Sequence, residues 1–193
     1  MNQTIRRTVA LVAVLNLIYF TIEFSFAQIY GSLALLSDSL DFLEDASVNL
    51  LIFMAFSWSL IARKRLSYLL ALILLVPGVV FIFEAISRFN EPRVPNGAGM
   101  SVIGVGALLV NFYCAAMLAK YKKEEGGLAK AAYLSARNDA MANVLIIVGG
   151  LVTMVWTSQF PDLLIGIAIF AMNFDAARQV LKSQHRTTGP SGL

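Results

Sequence analysis

The chain has 193 residues, 58% of them hydrophobic and 14% charged, with a formal net charge of +3 and a mean hydropathy of +0.72. That balance excludes a soluble globular domain and gives an integral membrane protein. The excess of basic residues is no sign of nucleic-acid binding, because those residues gather at the ends of apolar segments, where they set orientation.

Apolar segments of spanning length fall near 8–29, 33–62, 66–88, 99–120, 129–156 and 161–182. The predicted fold class is therefore all-α, an integral membrane bundle of six transmembrane helices. Residues 1–186 form this domain and 187–193 a flexible tail, which leaves no room for a second folded domain. Arg6 and Arg7 precede the first span, Arg63, Lys64 and Arg65 follow the second, Lys120, Lys122, Lys123 and Lys130 lie between the fourth and fifth, and Arg178, Lys182 and Arg186 come near the end. Only Arg88 and Arg93 fall on the opposite side, so both termini are expected to be cytoplasmic.

The first segment has the outline of a signal peptide, with Ser25-Phe26-Ala27 as its cleavage site. It is long, however, and carries Asn16 and Glu23 seven residues apart on one face, so it reads as a retained span. These two form a proton path or hydrogen-bond across helices. In the second segment, Asp38, Asp41 and Asp45 fall within roughly 60° of one another and Asn49 continues their face, whereas Glu44 points about 100° away from Asp45. A charge at bilayer depth costs on the order of 2.5–3.5 kcal/mol, so such a stripe needs cations or protons to offset it.

The third segment contains Pro77-Gly78, which should kink it, and Glu84 and Arg88, spaced i, i+4 for a local ion pair. The fourth and later spans use small residues, Gly104, Gly106, Gly149, Gly150, Gly166 and Ala168, for close helix approach. Cys114, the single cysteine, is read as packing. The fifth segment carries a second polar group. Ser135 and Asp139 share a face, Asn138 and Asn143 flank it, and Arg137 points away. Asn111 in the fourth segment and Asn173 and Asp175 in the sixth are polar positions read as lining the cavity, and His185 lies in the tail.

Facing each other, Asp41, Asp45 and Asp139 supply three carboxylates, with Ser135 or Asn138 as a neutral oxygen; Asp38, Glu44, Glu23 and Asn16 are accessory or proton-path candidates. Such a donor set suits Mn²⁺ or Mg²⁺ and also occurs in Zn²⁺ sites. Three ionised Asp give −3 against +2, so one group keeps a proton or another cation helps.

The run Gly31-Ser32-Leu33-Ala34-Leu35-Leu36-Ser37-Asp38-Ser39-Leu40-Asp41-Phe42-Leu43-Glu44-Asp45 resembles the second-helix signature of cation diffusion facilitators, with Asp41 and Asp45 at its acidic positions. The fifth-helix pattern of that family, [His/Asp]-x-x-x-Asp, falls on Ser135 and Asp139. The resemblance covers all six spans. It implies a homodimer in membrane lipid, in the cytoplasmic membrane of a bacterium, that exports divalent transition metals from the cytoplasm in exchange for protons by alternating access. The cargo is expected to be Zn²⁺ first, then Cd²⁺, Mn²⁺, Co²⁺ or Fe²⁺, with no cofactor. Three departures stand out: Ser135 replaces the usual fourth ligand, the 4–5 connection lacks a His cluster, and the family's cytoplasmic domain is not expected. The chain is not read as an enzyme. Its rivals are an intramembrane Mg²⁺-dependent prenyltransferase, which the Asp38-x-x-Asp41-x-x-x-Asp45 spacing also fits, and a non-transporting structural or regulatory membrane protein.

Overall fold

The computed structural model describes residues 3–55, 59, 78–121 and 128–172, with backbone alone at 55 and 128–135. Over these residues the chain is helical: α1 (Gln3–Tyr30), α2 (Leu33–Ala55), α3 (78–90), α4 (Gly97–Ala119), α5 (Leu128–Val155) and α6 (Phe160–Met172). Helices α1, α4 and the Ala136–Val155 part of α5 are long and apolar enough to cross a membrane. Helix α2 has 23 residues but carries the acidic stripe. The expected features at Pro77, at Arg63 to Arg65, at Lys122 to Gly127 and from Asn173 to the tail lie outside the described residues.

The α1–α2 break falls at Gly31, where φ is +63°. The Ser32 N–H donates to the Ala27 carbonyl at 2.9 Å and the Gly31 N–H to Gln28 at 3.3 Å. This double closure satisfies the last carbonyls of α1 and needs a left-handed residue, which glycine adopts without strain. Helix α2 then runs antiparallel to α1 in constant register: Tyr19 packs on Phe42 in a tilted pair with ring centroids 4.9 Å apart, and Val9 clusters with Ile52. Arg6 lies over the Phe53 ring, which puts the start of α1 beside the far end of α2.

Large apolar side chains such as Leu17, Val102, Phe112 and Leu151 face outward. Lipid tails are as apolar as these groups, so burying them between helices gains little, and close packing and hydrogen bonds must hold the bundle. Helices α4 and α5 show how. A Cβ on Gly150 would lie 2.6 Å from the Gly97 carbonyl oxygen and closer still to Ser101 Oγ, and Ser101 Oγ donates to the Ile147 carbonyl at 3.1 Å. Gly150→Ala is accordingly expected to destabilise the protein by about 1–3 kcal/mol through overpacking. Unfolding in mixed micelles would read this, and an unchanged midpoint would mean the two helices separate without loss.

At the end that carries the α1–α2 turn, one core cluster draws on α1 to α6, including Ala27, Leu35, Phe81, Met100, Ile146 and Leu163. The expected Glu84–Arg88 pair is not formed. Arg88 turns inward: it donates to the carbonyls of Gly31 and Arg93 and lies 3.9 Å from Asp162. A buried carboxylate and the free carbonyl of the turn are better partners for a guanidinium than a half-buried Glu84 on its own helix.

Candidate metal centre

Because α2 repeats its acids on one side, that side enters the bundle as a unit. Asp38 is fully buried, and Asp41 and Asp45 are each 6% exposed. Glu44, off this face, is only partly buried. Asn49 bends back to donate to the Asp45 carbonyl at 2.8 Å, so it serves its own helix.

Helix α5 lies against α2 and brings in Asp139, which is partly buried. The charges that act on it are those of Asp45, Asp38 and Glu44. The two polar helices lie against each other. Arg137 is exposed and Asn138 is exposed beside it. The position of Ser135 on the helix is known, but its side chain lies outside the described set. One turn further on, Asn143 is fully buried. Its Nδ2 donates to Asp38 Oδ2, and its Oδ1 accepts from Asn111 Nδ2 of α4 at 3.0 Å.

Helices α1 and α4 close the other sides. Glu23 is fully buried, the antiparallel register of α1 and α2 sets it opposite Asp38, and neither of its carboxyl oxygens has a hydrogen-bond partner. Continuing the antiparallel register two turns inward sets Asn16 opposite Asp45, and neither polar atom of Asn16 has a partner. Cys114 is buried within electrostatic range of Asp45. It packs with Val12, Ala115, Leu118 and Ala136, as its reading as packing anticipates.

Two layers result. The one nearer the α1–α2 turn holds Glu23, Asp38, Asn143 and Asn111; the one farther from it holds Asp45, Asp139, Asn16 and Cys114, with Asp41 between them. Among the described residues, no three His, Cys, Asp or Glu side chains close into a metal-binding group. The sequence pattern singled out Asn111, Asn143 and Asp38 one by one but not the hydrogen bonds that join them, nor Tyr19, whose hydroxyl donates to the Ile103 carbonyl at 2.5 Å.

Residues 9–186 match the cation efflux transmembrane domain family. The chain belongs to this family. Cation efflux proteins are transporters and not enzymes, which removes the prenyltransferase alternative. The chain is 29% identical over 171 residues to the zinc transporter ZitB of Yersinia pseudotuberculosis serotype I (strain IP32953), covering 80% of this chain and 54% of that one. It is 28% identical over 166 residues to the zinc transporter ZitB of Escherichia coli (strain K12), covering 79% and 52%. The chain thus spans about half the length of these curated relatives.

Proposed function

We propose that this chain carries divalent transition-metal cations, zinc foremost, out of the cytoplasm in exchange for protons. Its relatives' names support the metal. The observation that carries the reading is the buried acidic face of α2, with Asp41 and Asp45 turned inward and Asp139 of α5 set against it. A helix that buries several carboxylates in a membrane loses stability unless a cation or protons accompany them.

Asp41, Asp45 and Asp139 are the ligands in this reading. Ser135 supplies the neutral oxygen, and the exposed Asn138 is the weaker candidate for that role. Protons occupy the set when it is empty. Entering metal displaces them and draws α2 and α5 together, and the neutralised set passes through an occluded state as one helix group rocks against another. The transporter works as a homodimer in the cytoplasmic membrane of a bacterium, with its termini in the cytoplasm.

The test is metal uptake by proteoliposomes under an imposed proton gradient, with Zn²⁺, Cd²⁺, Mn²⁺, Co²⁺ and Fe²⁺ compared for wild type and Asp45→Ala. Saturable, gradient-dependent uptake is expected in wild type, falling to that of empty vesicles in the variant while its helix content is unchanged. Equal uptake by the two proteins would remove Asp45 from the site, and no uptake of any cation by folded wild type would sink the transport reading.

A further inference from the structure

Much of the lipid-facing surface is built of large apolar side chains that project outward, such as Val102, Phe112 and Leu151. Between α1 and α2 that surface is hollow. Ala10 and Ala13 of α1 and Ala46 and Ser47 of α2 are small, and they leave a groove of about 410 Å³ whose lining also includes Leu17 and Phe53. This is within the size range of sites that take small molecules. Among the described residues of the lining, the one polar side chain is spent on its own helix, since the Ser47 hydroxyl donates to the Leu43 carbonyl at 2.8 Å. On α2 the lining residues lie on the side opposite Asp38, Asp41 and Asp45. The groove therefore backs the helix that carries the acids and shares no residue with the candidate metal centre.

Length and charge narrow the choice of occupant. Along α2 the lining runs from Leu43 to Phe53, about 15 Å at 1.5 Å per residue, which is half the hydrocarbon thickness of about 30 Å. The groove is thus one leaflet long. At its end the Arg6 guanidinium lies over the Phe53 ring, 4.7 Å from the centroid. Arg6 is exposed, and the ion pairs among the described residues, Arg88–Asp162 and Arg93–Glu91, do not involve it. An apolar channel one leaflet long with a cation fixed at its mouth matches an acyl chain beneath an anionic phosphate. A second copy of this chain fits worse. Packed two-fold across the groove it would bring its own Arg6 to the same depth, and like charges across an interface repel.

We propose that this groove is a binding site for an anionic phospholipid, with one acyl chain laid between α1 and α2 and the headgroup phosphate held by Arg6. The Phe53 ring keeps the guanidinium at the mouth of the groove, where it meets phosphate with paired N–H donors. The acyl chain fills space that the small side chains leave open and braces α2 from behind its acidic face. The inference rests on shape, length and charge, and stands whether or not the acids carry metal.

Native mass spectrometry of the full chain released from detergent micelles, titrated with palmitoyl-oleoyl phosphatidylglycerol or phosphatidylcholine, tests it. The expected result is one saturable phosphatidylglycerol adduct per protomer, bound more tightly than phosphatidylcholine. Arg6→Gln should weaken that adduct about fivefold, the attraction one basic residue at a membrane surface gives, and leave phosphatidylcholine binding as it was. Ala46→Phe, which fills the groove, should abolish the adduct, whereas Val102→Phe on the exposed face of α4 should not. If Ala46→Phe does not fold, Arg6→Gln decides alone. Equal binding of the two lipids by wild type, or a preference unchanged in Arg6→Gln, overturns the proposal and leaves only the lipid that surrounds any membrane protein. An adduct that survives Ala46→Phe also overturns it, and a changed oligomeric state in that variant would then assign the groove to a second copy.

Discussion

Asp162→Ala is expected to lower the unfolding free energy of the bundle by about 3–5 kcal/mol, the loss that follows when one partner of a buried charge pair is removed. Asp162 stands at the start of α6 and is fully buried. It acts mainly on α2. Its Oδ1 accepts from the Ser32 hydroxyl at 2.6 Å and the Ala34 N–H at 3.0 Å, and its Oδ2 accepts from the Leu33 N–H at 2.8 Å. The first N–H groups of a helix have no partner within it, and a negative charge there is favoured by the helix dipole. Ser32 caps the same end from within, accepting from the Leu35 N–H at 3.1 Å. A carboxylate from α6 thus completes the cap of α2, and Arg88 from α3 completes the carboxylate.

Removing the Asp162 side chain strands two backbone donors and takes the opposite charge from Arg88, which keeps only its bonds to the Gly31 and Arg93 carbonyls and whose Nε already lacks a partner. Ser32→Ala, which leaves the carboxylate in place, should cost only about 0.5–2 kcal/mol. Asp162→Asn should fall between them, since its carbonyl oxygen can still accept while the charge is gone. Unfolding in mixed detergent micelles measures the series. An Asp162→Ala protein within about 0.5 kcal/mol of wild type, the range of an ordinary surface change, would show that the contact contributes nothing to holding α2, α3 and α6 together.

Arg88 also shows what the sequence could and could not reveal. Its spacing from Glu84 is a local signal and was read as a local pair, but its partner Asp162 lies on another helix, and nothing in a single sequence links the two. The acidic stripe of α2 was legible for the opposite reason: a charge within an apolar span is costly enough to stand out, and helical periodicity alone decides which acids share a face. The breaks at Gly31 and before Pro161 were legible from backbone chemistry. Helix α5 was harder. Apolar residues surround it, so no stripe fixes its rotation, and each residue turns the face by about 100°. Asp139 is partly buried, while its neighbour Asn138, a ligand candidate by spacing, is exposed. The Asn111–Asn143–Asp38 chain needed three helices to be docked before it existed.

Ser135→His is expected to raise zinc affinity by at least about tenfold and to shift preference from Mn²⁺ toward Zn²⁺ and Cd²⁺. Helix α5 is continuous from Leu128 to Val155, so residue 135 sits one turn from Asp139 on the same face. With serine there, the proposed set offers oxygen alone, which suits harder cations. Imidazole nitrogen favours zinc and binds it at about 2.0–2.1 Å. Changes to groups behind a ligand already move metal affinity about 10–100-fold, and a ligand gained at the metal itself should do no less. The substitution also leaves the charge of the three aspartates untouched, so any change in preference reports on donor type and not on electrostatics. Competition between Zn²⁺ and Mn²⁺ for uptake into proteoliposomes reads the outcome directly. If the ratio is the same for both proteins, residue 135 does not reach the cation, and the neutral donor must come from another helix; Asn16, buried opposite Asp45 with its amide unpartnered, is then the next residue to vary.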